Sequence, residues 1–111
     1  MDILSGIRVL DLTNVLSGPF ATLHLALLGA EVIKIENPDA GDLARKLGCV
    51  SDYNNKLLGT SFIAQNANKK SVTLNLKEPK AKEIFLKLAE TADVVVENFR
   101  PGVMDRLGIG Y

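Results

Sequence analysis

The chain has 111 residues, 47% of them hydrophobic and 23% charged, and its thirteen basic and thirteen acidic side chains cancel. That balance describes one globular domain able to bury a core unaided. It excludes a disordered tail, a collagen-like repeat and a cationic surface for nucleic acid or anionic membranes. A single cysteine, Cys49, and a single histidine, His24, exclude an intramolecular disulfide and an ordinary structural zinc site, and point to a reducing, cytoplasmic setting.

The first eight residues lack the basic start and apolar core of a signal peptide, so none is expected. The apolar run at 20–35 is broken by His24, Glu31 and Lys34 and falls short of the ~20 residues of a membrane span. Residues 7–12 are rich in branched apolar side chains and close on Thr13 and Asn14, which predicts a buried strand. Pro19 suits the first turn of a helix. Residues 20–28 are apolar on nearly every side, so a largely buried helix is expected next, stopped by Gly29. Residues 31–36 mix charged and apolar side chains as a strand does, and 7–36 together read as one βαβ unit with parallel strands.

Residues 37–68 turn polar, with Pro38, Gly41, Gly48 and Gly59 as breakers. Only 42–47 and 61–67 are expected to form short helical turns, and packing partners outside the chain are one expectation for so long a loop. Residues 71–76 alternate again as a strand. Pro79 then opens an amphipathic helix with Ala81, Ile84, Phe85, Leu88 and Ala89 on one face. Residues 93–97 read as a further parallel strand and 101–107 as a short helix. The whole is a single α/β domain over 1–111, a Rossmann-like doubly wound parallel sheet.

Open parallel sheets bind ligands beyond the carboxyl ends of their strands, where helix N-termini gather free amide donors. Three such junctions are visible. At Asn14-Val15-Leu16-Ser17-Gly18-Pro19, Gly18 would let a ligand approach the backbone, or simply make the turn. At Leu74-Asn75-Leu76-Lys77 the lysine could meet a phosphate or be a solvated strand end. Glu97-Asn98-Phe99-Arg100-Pro101-Gly102 offers an amide, an aromatic face and a guanidinium, although Phe99 could be core and Arg100 could pair with Glu97. Asp11 reads as structural rather than catalytic, His24 as a packing histidine rather than a base, and Cys49 as an unremarkable thiol.

Together these junctions resemble the class III coenzyme A transferases, also called the carnitine dehydratase and bile-acid-inducible family, which includes formyl-CoA transferase and α-methylacyl-CoA racemase. The resemblance spans the chain and rests on five ordered segments. They are Gly6-Ile7-Arg8-Val9-Leu10-Asp11-Leu12-Thr13, Ser17-Gly18-Pro19, Leu28-Gly29-Ala30-Glu31-Val32-Ile33-Lys34-Ile35-Glu36, Asn68-Lys69-Lys70-Ser71-Val72-Thr73-Leu74-Asn75-Leu76-Lys77 and Ala92-Asp93-Val94-Val95-Val96-Glu97-Asn98-Phe99-Arg100-Pro101-Gly102.

The resemblance implies the N-terminal part of the family's large Rossmann-like domain, with coenzyme A or an acyl-CoA as substrate ligand and no required cofactor. It assigns ligand contacts to Leu16 and Ser17, to Leu74, Asn75, Leu76 and Lys77, to Asn98, Phe99 and Arg100, and to Arg106. Where many members carry an arginine after the second-strand glutamate this chain has Asn37, which removes one charge-assisted phosphate contact. Family transferases use an aspartate nucleophile, and racemases an acid/base pair, that fall beyond the family's counterpart of Tyr111. The expectation is therefore a fragment that binds CoA, is inert alone, and associates as a homodimer or with the remainder of the fold. Within the family, a segment of an α-methylacyl-CoA racemase is a further alternative, and two rivals from other classes stand beside it. One is a non-enzymatic module that self-associates through 37–68 and its edge strands. The other is a nicotinamide dinucleotide domain, suggested by Glu36 at the end of the second strand and weakened by the absence of a Gly-x-Gly-x-x-Gly turn.

Overall fold

The computed structural model describes residues 2–111. The strands are β1 (Arg8–Asp11), β2 (Glu31–Glu36), β3 (Lys70–Thr73) and β4 (Val94–Val96). The helices are α1 (Ser17–Leu27), α2 (Ser51–Asn55), α3 (Thr60–Ile63), α4 (Pro79–Ala89) and α5 (Val103–Leu107), with a 3₁₀ turn at Leu43–Lys46. All strands are parallel, in the order β3-β2-β1-β4. Leu10 lies opposite both Ile33 and Val95, so the hydrophobic strands β1 and β2 are central and β3 and β4 are edges. None of the described helices is long and apolar enough to cross a membrane.

Period-two alternation along β1 and β2 sorts the core into two layers. Leu10, Leu12, Ile33 and Ile35 point to one face, where Phe85 of α4 and Ile109 close a cluster. Val9 and Val32 point to the other, against Ala26 of α1 and Ala30. Helices on both faces make the sheet doubly wound, as expected. The same alternation turns Asp11 and Lys34 toward the α1 face, and both are buried there.

Three expectations need correction. Helix α1 is not largely buried: Pro19, Thr22, Leu23 and Ala26 face the sheet, whereas Phe20 and Leu27 are each 54% exposed. An all-apolar helix gives no sequence signal for which face the sheet will take. Strand β3 ends at Thr73 rather than running to residue 76, because its neighbour β2 ends at Glu36, whose carbonyl takes the last ladder bond from the Leu74 amide at 2.9 Å. The stretch 37–68 contains α2, which was not expected, and is fastened from within. Gly59 N donates to Arg45 O at 2.8 Å and Ser61 N to Leu47 O at 3.1 Å, lacing α3 to the 3₁₀ turn. Gly59 comes so close that a Cβ there would lie 2.5 Å from the Leu47 carbonyl oxygen.

Candidate functional site

A cleft of about 210 Å³ opens beyond the carboxyl ends of β1 and β2, between the segment following β3 and helix α5. Its walls are apolar: Leu12, Ile35, Leu74, Leu76, Phe99, Val103 and Leu107. Asn14, Glu36, Asn37, Gly41 and Lys77 form its polar margin. A slab of apolar side chains beside a lysine suits a flat ring attached to an anion. A second groove of about 460 Å³ beside α4, α5 and β4 is larger, but among the described residues the charged side chains lining it are the acidic Glu97 and Asp105, which opposes a phosphate-bearing ligand.

Of the residues expected to bind ligand, Leu74, Leu76, Lys77 and Phe99 line the cleft, and Leu16, Ser17, Asn75, Asn98, Arg100 and Arg106 do not. Each of the latter has a definite place. Asn75 Oδ1 accepts from the Lys77 amide at 3.2 Å and shapes the turn that presents the lysine. Asn98 clasps the backbone of Asn14, accepting from its amide at 3.0 Å and donating to its carbonyl at 2.8 Å, which bridges β1 and β4 at the point where strand order reverses. Glu97 accepts the Phe99 amide at 2.7 Å and makes no ion pair with Arg100. Among the described residues Arg100 has no ion pair at all, which leaves its guanidinium free for an anion. Arg106 extends from α5 to Gly102, where a Cβ would lie 2.9 Å from its Nη1. Leu16 and Ser17 are exposed at the start of α1.

Sequence reasoning missed Leu12, Ile35, Gly41, Val103 and Leu107 as cleft residues, and named Asn14, Glu36 and Asn37 without assigning them a contact. Leu12 and Ile35 were legible in principle, since they are the last apolar residues of their strand segments on the α4 face. Gly18 is the converse case. Its open side is filled by the chain itself, because a Cβ there would lie 2.3 Å from Thr13 Cβ, so it serves packing rather than ligand approach. Thr13 is buried and bonded to Asp11 and cannot yield. Gly18→Ala is therefore expected to cost about 1–3 kcal/mol from overpacking, read as a lower thermal midpoint. An unchanged midpoint would refute the packing role.

On the opposite, α1 face of the sheet lies a buried network of charges. Asp11 accepts from the Thr13 amide at 2.9 Å, from the Thr13 hydroxyl, from Thr22 Oγ1 at 2.6 Å and from Lys69 Nζ at 3.0 Å. Burial alone would raise its carboxyl. The bonds from Thr13 and Thr22 and the charges of Lys34 and Lys69 outweigh burial and hold it below the usual carboxylate range. Fully enclosed and saturated with donors, Asp11 is structural. Lys69 Nζ also reaches Pro19 O, Thr22 Oγ1 and Asn66 Oδ1 at 2.8–3.0 Å. Burial pushes its ammonium down and Asp11 partly restores it.

A second cluster joins Lys34 to Asp42 at 2.9 Å and to the Thr13 carbonyl at 2.8 Å. Glu36 receives Arg45 through Nε and Nη2, both at 2.7 Å, and the Asp42 amide at 2.8 Å. Burial raises the Glu36 carboxyl, but these donors carry it below its ordinary value. With both oxygens taken, Glu36 has no free fork for ribose hydroxyls, which removes the basis of the dinucleotide reading. Arg45 cannot stand in for the absent arginine at position 37 either, being held by Glu36, the Leu57 carbonyl at 3.1 Å and the Phe62 ring at 3.8 Å.

His24 lies on the exposed side of α1, its ring 4.4 Å from that of Phe20 and its Nδ1 2.8 Å from the Phe20 carbonyl. Cys49 is exposed. Among the described residues no group of His, Cys, Asp or Glu is placed to hold a metal ion.

A family model described as CoA-transferase family III matches residues 4–111. The chain is 49% identical over 108 residues to succinyl-CoA:glutarate CoA-transferase of Mus musculus, covering 97% of this chain and 24% of that protein. It is 50% identical over 108 residues to formyl-CoA:oxalate CoA-transferase of Rhodopseudomonas palustris, covering 97% and 25%. Among solved structures, a hypothetical protein from Mycobacterium tuberculosis superposes with a TM-score of 0.87 at 47% identity, over all of this chain and 29% of that one. A CAIB/BAIF family protein from Brucella suis gives a TM-score of 0.83 at 33% identity, over 97% of this chain and 29% of that one. The chain thus spans about a quarter of the length of the curated relatives it matches.

Proposed function

Because the chain belongs to CoA-transferase family III, we propose that its 111 residues bind the CoA moiety for transfer of CoA between an acyl-CoA thioester and a carboxylic acid. The observation that carries this reading is the apolar cleft at the strand ends, with Lys77 at its margin and Arg100, without an ion pair among the described residues, next in sequence to Phe99 of its wall. On this reading the apolar wall that includes Phe99 and Leu74 takes the adenine ring, Lys77 at the margin takes a phosphate, and Arg100 and Arg106, outside the lining of the cleft, supply further cations for the phosphates. The two relatives act on different acids by name, glutarate and oxalate, and share CoA. What these residues contribute is accordingly CoA recognition rather than choice of acid.

The 111 residues alone bind and do not transfer. Among the described residues the only carboxylate lining the cleft is Glu36, and it is tied to Arg45, so none of them offers a free carboxylate there to attack a thioester. Calorimetric titration of the chain tests the reading. CoA is expected to bind and NAD not to. Arg100→Ala is expected to weaken CoA about tenfold through loss of one charge-assisted phosphate contact. A folded sample that gives no heat with CoA, or binds NAD equally well, overturns it.

A further inference from the structure

Val15 follows β1 and has φ of +74°, a left-handed conformation that a β-branched residue adopts only when its surroundings impose it. Side-chain packing is not what imposes it, because Val15 is 40% exposed. Hydrogen bonds do. The Val15 amide donates to Asp42 Oδ1 at 2.9 Å, and the Gln65 amide nitrogen, turned toward the loop, reaches the Val15 carbonyl at 2.9 Å. Asp42 is fully buried and is not a lining residue of the cleft, although its neighbour Gly41 is. Its Oδ1 also accepts from the Ala44 amide at 2.9 Å, and its Oδ2 meets Lys34, which in turn holds the Thr13 carbonyl. The loop after β1 is thus fastened on both sides of Asn14 to the loop after β2, and these two loops supply Asn14 and Gly41 to the cleft margin.

We propose that Asp42 is a positioning residue for CoA binding: by holding the Val15 amide it keeps that residue left-handed, and so fixes Asn14 at the margin of the cleft and sets the direction in which the chain enters α1 at Leu16 and Ser17. The inference rests on the CoA-binding reading above. It assigns a buried carboxylate that cannot touch ligand a specific effect on ligand affinity, exerted through the conformation of one exposed residue.

The first test removes Asp42 together with its ion-pair partner, as Lys34→Met/Asp42→Ala, so that no buried charge is left unpaired. In a folded sample, CoA affinity is expected to fall about tenfold. Adding Val15→Gly is expected to restore it to within about threefold, since glycine adopts positive φ without side-chain strain. A merely structural Asp42 would not be rescued at a separate, exposed position. Unchanged affinity in the pair variant, or a loss that Val15→Gly does not repair, overturns the proposal.

Should the pair variant fail to fold, Val15→Pro decides the matter. Proline removes the amide donor and fixes φ near −65°, so CoA affinity is expected to drop at least about tenfold with the fold retained. Wild-type affinity there refutes the role. Exchange of the Val15 amide proton in ligand-free protein separates the two readings. It is expected to be slow in the wild type and about tenfold faster once Asp42 is removed. Slow exchange in a wild type that does not bind CoA sinks the binding reading and leaves the fastening intact, whereas fast exchange in the wild type sinks the fastening.

Discussion

Replacing Lys69 with methionine is expected to cost about 3–5 kcal/mol of folding stability, the usual consequence of removing one partner from a buried ion pair. Lys69 and Asp11 have side chains 2% and 0% exposed and sit 3.0 Å apart. Removing the ammonium strands Asp11 with fewer donors and also deprives the Pro19 carbonyl and Asn66 Oδ1 of theirs. Methionine keeps most of the stem's volume, so the loss isolates charge and hydrogen bonding from packing. For a domain of this size the thermal midpoint should fall by roughly 10–20 °C or more. By contrast, the Glu83 pairs with Lys80 and Lys87 on the exposed side of α4 join lysines more than two-thirds exposed to a glutamate about half-exposed, and Glu83→Ala should leave the midpoint nearly unchanged.

The pH dependence of that cost has a definite sign. Asp11 titrates below its ordinary value in the folded protein, so it contributes stability that is fully present above the unfolded-state value and is lost as pH falls through the folded one. Lys69 supplies part of that lowering. Wild type and Lys69→Met should therefore differ most near neutrality, and the gap should narrow as the pH falls below the ordinary carboxylate range and through the lowered folded-state value of Asp11. Denaturant midpoints measured from pH 7 to pH 3 check this. A gap that stays constant across the range would mean that the pair is not the source of the loss.

How much of this was legible in the sequence follows from the range of the forces involved. Branched apolar residues at 7–12 and 31–36, and the helical spacing of Ala81, Phe85 and Leu88, are local signals, and the corresponding elements formed where expected. The pattern of β2 identified a strand but not that Lys34 and Glu36 would be buried, because their partners Asp42 and Arg45 lie in a segment with no periodicity of its own. That segment was unreadable for the same reason. Helix α2 buries no side chain, and the stretch is anchored to β2 by the ion pairs of Asp42 with Lys34 and of Arg45 with Glu36 rather than by an apolar face of its own. At the cleft, the residues named from the sequence were those with recognition chemistry, such as Lys77 and Phe99, while apolar strand-end residues such as Leu12 carried no label distinguishing a wall from a core. Asn98 combined recognition chemistry with a purely internal use, which only the clasp on Asn14 shows.

Phe99→Leu is expected to weaken CoA binding by about 10–100-fold, the range measured when an aromatic partner is taken from a stacked base. Phe99 lines the cleft and packs, partly buried, against the cluster formed by Leu10, Leu12, Ile33 and Ile35, so it serves both the core and the cleft wall. Leucine preserves much of the buried apolar contact and the turn held by Glu97, but it has no flat face, so the expected loss falls on binding rather than on folding. Ligand pieces locate the effect. Adenosine 3′,5′-bisphosphate should lose affinity in the variant by the same factor as CoA, whereas phosphopantetheine, which has no ring, should bind wild type and variant alike. Equal weakening of both pieces would place Phe99 at a general wall of the cleft. A wild-type affinity for the adenosine piece would show that the ring is bound elsewhere, and would leave Lys77 and Arg100 as phosphate contacts without an adenine slot between them.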